Sequence, residues 1–348
     1  MNEIWQQDQL VLDDLALVQK SIDDMAANQA FAHAPQLRQV LQNPGKMIRP
    51  ALLLIAARFG SPAAAPPRGA LSWLAAHLPG CLSGRRRSAK LPERLYRMAA
   101  AMELIHTAAL IHDDIIDEAS LRRGQTALYK ETGSRQAILI GDMLFSLGFE
   151  QLVSFGSHQS MAIAAKTAAR LGTGAMQEMG FKAVPSRREY LRRIYSKTAV
   201  LFMASLQIGA EEARLKKAVQ RRLVRIGYNL GMGFQIIDDI LDFTGDSQSL
   251  GKTPYTDLRE GIYTLPVIAA CERGAASRLA ELGVPCRHAI DDCRRIHDIL
   301  NASGGMEAAK AEAARYTQRA LIEIDKLPPI PPAASLRALV ERLLQRKY

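Results

Sequence analysis

Asp113, Asp114 and Asp117 stand together in the stretch LIHDDIIDEASLRR, Leu110 to Arg123. Residues four apart share one face of a helix, so Asp113 and Asp117 point the same way. Two carboxylates side by side on an otherwise apolar helix repel each other, and burying them is costly without a cation. A hard divalent cation that takes oxygen ligands, Mg²⁺ above all, meets that need. A single cluster of this kind reads more simply as a solvated acidic face, because charged side chains are mostly exposed. The spacing, however, recurs. Asp238, Asp239 and Asp242 repeat it in GFQIIDDILDFTGD, among Phe234, Ile236, Ile237, Ile240, Leu241 and Phe243. Two such pairs on facing helices make a cage of hard oxygen ligands with open positions. The absence of His or Cys from the clusters argues against zinc or iron. Mg²⁺ usually binds through one or two carboxylates plus substrate phosphates, so the implied ligand is a di- or polyphosphate.

Cations near the clusters then acquire meaning. Arg122 and Arg123 follow the first cluster, and Lys252 follows the second. Lys46 and Arg49 flank a glycine turn ahead of a helix N-terminus, which itself favours anions. Lys197, next to Thr198, sits in an apolar helix where lysine needs a partner. Taken singly, each reads as an ordinary surface or salt-bridge residue. Together with the aspartates they read as a site for two diphosphates, one held by metal and one by Lys and Arg directly.

The elements that must position these groups are helices. Val11, Leu12, Leu15, Ala16 and Val18 give an amphipathic first helix. Pro50 opens an apolar helix to Phe59, and a long helix from about Pro92 to Glu118 carries the first cluster. Further helical patterns cover Ser134 to Ser154, Gln159 to Met179, Arg187 to Ile208, Lys217 to Phe243, Ile262 to Glu272, Arg287 to Ala302, Met306 to Ile324 and Ser335 to Gln345. No sustained alternating pattern competes. The expected fold is all-α, a single large helical bundle over residues 1–348 with its cleft between helices. Ser61 to Leu91, rich in Ala, Pro, Gly and Arg, reads as a loop insertion.

Composition narrows the function classes. The formal charge of +10 admits nucleic acid, anionic membranes and phosphorylated small molecules. The aromatics do not interleave with the basic residues, which excludes a stacking platform for nucleic acid. The excess charge is lumped at Arg85 to Arg87, Arg192 to Arg193 and Arg221 to Arg222, and such runs read as solvated surface. Cys81, Cys271, Cys286 and Cys293 form neither a CxxC pair nor a disulfide framework, which suits a reducing cytosol. The first residues lack a signal-peptide pattern, and no apolar run approaches the ~18 residues of a spanning helix. A cytoplasmic protein is expected, with peripheral membrane contact for release of a greasy product.

The segments GKMIRP (Gly45 to Pro50), ELIHTAALIHDDIIDEASLRRG (Glu103 to Gly124), GDMLFS (Gly141 to Ser146), KTA (Lys197 to Ala199), GFQIIDDILD (Gly233 to Asp242) and DLREGIYTLP (Asp257 to Pro266) carry a resemblance. The sequence resembles the trans-isoprenyl diphosphate synthases of the polyprenyl synthetase family, most closely the long-chain bacterial type. Two DDxxD motifs in this context are highly specific. The resemblance implies a prenyltransferase that condenses isopentenyl diphosphate with an allylic diphosphate such as farnesyl diphosphate. It implies Mg²⁺, about three ions per site, held by Asp113, Asp117, Asp238 and Asp242 with Asp114 and Asp239 in support. Arg122, Lys197, Thr198, Gln235 and Lys252 would contact the allylic diphosphate. Lys46, Arg49, His106 and Arg123 would bind isopentenyl diphosphate. A homodimer is implied, or a heterodimer with a small regulatory subunit.

Below the first cluster, Ala109, Ala108 and Ile105 form the wall that rules product length. Bulky aromatics there would stop elongation early; two alanines leave the way open, and the resemblance then implies a long product, for which about six to eight isoprene units, the class of quinone tails, is the expectation. One departure from the family pattern GGKRxRP is that Pro44 replaces the first glycine and Met47 the first arginine, which removes one cation. A class I terpene cyclase shares the ionisation chemistry, but the second DDxxD and the Lys46/Arg49 pair favour chain elongation. A non-catalytic subunit has no need of six aspartates. Asp291 and Asp292 lack a third aspartate at the right spacing and read as solvated surface.

Overall fold

The computed structural model describes residues 4–27, 35–42, 45–60, 90–122, 124–178, 183–244, 254–285 and 289–344. The fold is all-α. Helices α1 (Gln9–Ala26), α2 (Pro35–Gln42) and α3 (Ile48–Arg58) lead to the long α4 (Glu93–Ile116). A short antiparallel hairpin of β1 (Leu121–Arg122) and β2 (Gln125–Thr126) follows. Next come α5 (Leu128–Thr132), α6 (Ser134–Phe155), α7 (His158–Glu178) and α8 (Arg187–Ile194). A π-helical turn at Tyr195–Ala199 joins α8 to α9 (Val200–Glu212), and α10 (Lys217–Thr244) carries the second acidic cluster. The remainder comprises α11 (Thr256–Arg259), α12 (Leu265–Ala270), a second π-helical turn at Cys271–Ala275, α13 (Ala276–Glu281), α14 (Ile290–Ala302), α15 (Gly305–Asp325) and α16 (Pro331–Leu344).

Two features of α4 place it at the centre. It is apolar on nearly every face, and a helix of that kind must be surrounded. It also accepts α6 at very close range through glycines of α6. A Cβ added at Gly141 would lie 2.2 Å from His112 Nε2, and one at Gly148 would lie 2.8 Å from Ile105 Cγ1. The reversed order of these pairs makes α4 and α6 antiparallel. Glycine brings α9 equally near α3, since a Cβ at Gly209 would meet the Leu53 carbonyl oxygen at 2.1 Å.

A buried polar network fastens α1, α3 and α4 together. The Arg58 guanidinium donates two hydrogen bonds of 2.7 Å to the Asp14 carboxylate, and Tyr96 Oη donates to Asp14 Oδ1 at 3.0 Å. Tyr96 Oη in turn accepts the Leu91 N–H at 3.0 Å. Burial, with Asp14 beside it, pushes the Tyr96 phenol up to about 12. The network lies where the chain leaves α3 and enters α4. Of the expected insertion Ser61 to Leu91, residues 61–89 lie outside the described residues.

The structure corrects several sequence expectations. The single helix expected over Arg187 to Ile208 is interrupted by the π turn and runs on to Glu212. Pro50 does not open α3 but sits inside its first turn, after Met47 in a left-handed conformation. The helix expected from Ile262 to Glu272 begins only at Leu265, and Gly274 (φ 88°) kinks the π turn after it. Helices α5, α11 and α13 are too short to show a clear period, and α2, with Leu37 and Leu41 buried on one face, was not singled out in the sequence. Finally, α6 is long and apolar enough to cross a membrane by length and composition, contrary to the reading of the sequence. Its polar residues are spaced along one helical face instead of ending the apolar run, and another face lies against α4.

Candidate active site

The first aspartates end α4, and they do not act alike. Asp113 and Asp117 are half-buried, whereas Asp114 is only 4% exposed. Asp114 is turned toward the hairpin, where its Oδ1 accepts Arg122 Nε at 2.7 Å and a second guanidinium N–H as well. Burial opposes the charge on Arg122, but Asp114, with Asp113 and Asp117 nearby, raises its pKa above the ordinary value.

The second cluster, on the last turns of α10, divides in the same way. Asp238 is half-buried; Asp239 is 4% exposed and held by two neutral donors. Tyr190 Oη donates to its Oδ2 at 2.6 Å, and Gln235 Nε2 to its Oδ1 at 2.8 Å. Burial, and then the Asp257 carboxylate, pushes Asp239 up to about 7. Burial and Asp239 likewise hold the Tyr190 phenol well above its ordinary value. Asp242 serves as a cap: its carboxylate oxygens accept the N–H groups of Thr256 at 3.1 Å and Asp257 at 3.3 Å. This fixes the start of α11 against α10.

The π turn joins the two clusters. Lys197 Nζ lies 3.6 Å from Asp117 Oδ2 on α4. Thr198 Oγ1 donates to Gln235 Oε1 at 2.6 Å on α10, and the Gln235 amide passes the chain on to Asp239. The partner that Lys197 requires is therefore an aspartate of the first cluster. Arg193, expected on solvated surface, is only 6% exposed. It stacks over the Tyr190 ring at 5.6 Å and donates to the Tyr263 carbonyl at 3.2 Å. A buried cation near Asp239 offsets its charge, which a run of arginines read from sequence does not disclose.

The glycine turn is built from its N-terminal neighbour. Trp5, fully buried, donates its indole N–H to the Lys46 carbonyl at 2.9 Å. Lys46 is exposed, while the Arg49 guanidinium lies buried over the Phe202 ring at 5.0 Å. Met47 is buried with φ 51°, so its side chain belongs to the core, and a cation there would need desolvation. His106 is half-buried two turns before Asp113 on the same face of α4. Along the wall, Ile105 and Ala108 are fully packed, and Ala109, one turn before Asp113, is partly exposed. Arg123, Lys252 and Pro44 lie outside the described residues. Asp291 and Asp292 form i,i+3 pairs with Arg294 and Arg295 on the surface.

Among the described residues, no group of three or more His, Cys, Asp or Glu side chains converges to hold a metal ion. The carboxylates of the two clusters differ in what surrounds them. Asp114, Asp239 and Asp242 are engaged by Arg122, by Tyr190 and Gln235, and by backbone N–H groups. Asp113, Asp117 and Asp238 are half-buried carboxylates, and Asp117 lies 3.6 Å from Lys197. That donor set fits a hard cation whose remaining ligands are water and phosphate oxygens. Tyr190, Arg193, Trp5 and Asp257 escaped the sequence reading, since each acts through a partner far away in the chain.

Comparison with known proteins agrees with this geometry. Residues 33–300 match the polyprenyl synthetase family. The chain is 32% identical over 339 residues to heptaprenyl diphosphate synthase component 2 of Geobacillus stearothermophilus, covering 97% of each. It is 36% identical over 252 residues to nonaprenyl diphosphate synthase of Mycobacterium tuberculosis, covering 71% of this chain and 75% of that one. A Caulobacter crescentus polyprenyl synthase, solved with calcium and isoprenyl diphosphate, superposes with a TM-score of 0.84 at 28% identity, covering 99% of this chain and 98% of the other. Heptaprenyl diphosphate synthase from Staphylococcus aureus superposes with a TM-score of 0.82 at 28% identity, covering 97% and 99%. Twin aspartate clusters tied together by one lysine–threonine turn are thus set in a fold that these enzymes share, and the chain is a prenyltransferase belonging to the polyprenyl synthetase family.

Proposed function

We propose that the enzyme extends an allylic diphosphate, farnesyl diphosphate as primer, with isopentenyl diphosphate to an all-trans polyprenyl diphosphate for quinone side chains. One observation carries the reading: a single π turn ties the two clusters together, Lys197 Nζ standing 3.6 Å from Asp117 while Thr198 donates to Gln235, which donates on to Asp239. Ala109, partly exposed one turn before Asp113, supports a long product of about six to eight isoprene units, because a small side chain at that place would leave room for a growing chain.

Asp113, Asp117 and Asp238, with Asp242 if it yields its cap, would hold Mg²⁺. Bound Mg²⁺ supplies neutralisation of the charge that develops on the departing diphosphate. Lys197, Arg122, Lys252, Thr198 and Gln235 bind that same group. Lys46, Arg49, His106 and Arg123 hold isopentenyl diphosphate with its double bond close to the allylic carbon. The allylic C–O bond breaks, a C–C bond forms, and a proton is lost to the released diphosphate. Apolar walls keep water from the cation.

The exposed apolar residues Leu139 and Val153 of α6 and Met176 of α7 support association with a second copy of the chain. A second reading is favoured by the names of two relatives, each a heptaprenyl synthase "component 2": the second chain would be a small regulatory subunit. We place the enzyme in the cytoplasm, with peripheral membrane contact at product release.

The test is incubation of purified protein with Mg²⁺, radiolabelled isopentenyl diphosphate and farnesyl diphosphate, followed by product chromatography. Long prenyl diphosphates are expected. Cyclic hydrocarbons would overturn the reading in favour of a terpene cyclase. Turnover only after a second, different polypeptide is added would establish the two-component form.

A further inference from the structure

Between α8 and α9 the chain takes a π-helical turn, Tyr195–Ala199. Such a turn inserts one residue into the helical repeat and is an unfavoured local geometry that needs support. Its effect here is specific. Consecutive residues serve opposite sides of the cleft, Lys197 reaching Asp117 on α4 and Thr198 reaching Gln235 on α10.

The support comes from glycines on the two flanking helices. A Cβ at Gly174 of α7 would lie 2.7 Å from Ser196 Cβ and 3.3 Å from Lys197 N. A Cβ at Gly231 of α10 would lie 2.6 Å from Ala199 Cα and 3.0 Å from Ala199 Cβ. These atoms are backbone or directly attached to it, so no rotation relieves the clash. Both glycines are buried within helices, where glycine costs about 0.5–1 kcal/mol relative to alanine. Neither has a positive φ. Close approach of the π turn is the feature that requires them.

We propose that Gly174 and Gly231 form a seat that fixes the π turn and, through Lys197 and Thr198, sets the spacing of the two aspartate clusters. They are positioning residues for the metal–diphosphate site, and the inference rests on the functional reading given above. Gly227, one turn earlier on α10, provides an internal control. A Cβ there would lie 2.8 Å from Met203 Cα, an equally tight contact against α9 but beyond the π turn.

The experiment measures calorimetric affinity for farnesyl thiolodiphosphate with Mg²⁺, alongside melting temperature, for the wild type, G174A, G231A and G227A. A seat for the turn predicts that G174A and G231A weaken binding by about tenfold to a hundredfold, as sub-ångström to ångström misplacement does. G227A should lower the melting temperature but leave affinity within about twofold of wild type, since distant packing defects act on stability. The double variant G174A/S196G removes the Ser196 Cβ and leaves the nearest contact at 3.3 Å, so it should recover the wild-type affinity. This pair keeps the test decisive if G231A fails to fold. Equal affinity losses in G174A and G227A, no loss in G174A, or no recovery in the double variant would overturn the seat while leaving the functional reading intact. A wild-type protein that does not bind the analogue would overturn that reading, and the seat with it.

Discussion

Six aspartates at identical spacings divide into two jobs because of what surrounds each carboxylate. Asp113, Asp117 and Asp238 are half-buried, with Asp117 3.6 Å from Lys197, while Asp114 and Asp239 are buried on Arg122, Tyr190 and Gln235 and Asp242 caps α11. The division predicts different mutant phenotypes. Asp117→Asn should lower kcat by about a hundredfold or more while the melting temperature stays near wild type, because charge stabilisation at the reacting centre is lost. Asp114→Asn should also destabilise the fold, by about 1–3 kcal/mol, since Arg122 loses a charged acceptor. Denaturant titration beside steady-state kinetics separates the two effects. The wall gives a sharper test. Ala109 is one turn from Asp113 and partly exposed, whereas Ala108 is fully packed, so Ala109 is the residue to enlarge. Ala109→Phe should shorten the product by one or more isoprene units, read by reversed-phase chromatography; unchanged length would refute Ala109 as the ruler.

Among the elements, two fastenings stand out. The Asp14–Arg58–Tyr96 network joins α1, α3 and α4 in the interior. Asp14→Ala leaves a buried guanidinium unpaired and should cost about 3–5 kcal/mol in chemical denaturation. The Trp5 indole holds the Lys46 turn, so Trp5→Phe should raise KM for isopentenyl diphosphate more than it changes kcat. Neither fastening was legible in the sequence, because its partners are 41 or more residues apart. The helices were legible wherever a 3.6-residue period ran for several turns, as in α1, α6, α7, α10 and α15, and α4 was legible from the length of its apolar run. The π turn was not, since one extra residue in an apolar helix leaves no mark in composition. The same limit applied at the site: the aspartates, Lys197 and Thr198 could be singled out by type and spacing. Which of the aspartates are already engaged depends on Tyr190 and α11, which only folding brings alongside.

For the whole molecule, the most apolar long helix is also one that the single chain leaves uncovered on one side. Leu139 and Val153 of α6 are 66% and 63% exposed. Glutamates at both positions should leave the protein monomeric by light scattering while the wild type is a dimer. In the proposed elongation, the two aspartate clusters would hold one diphosphate while a second substrate attacks. The most direct measurement is therefore the diphosphate released against the isopentenyl diphosphate incorporated, with Mg²⁺ and farnesyl diphosphate present. Elongation predicts equal amounts of the two and no release when isopentenyl diphosphate is omitted. Diphosphate release from farnesyl diphosphate alone, with no isopentenyl unit incorporated, would contradict it.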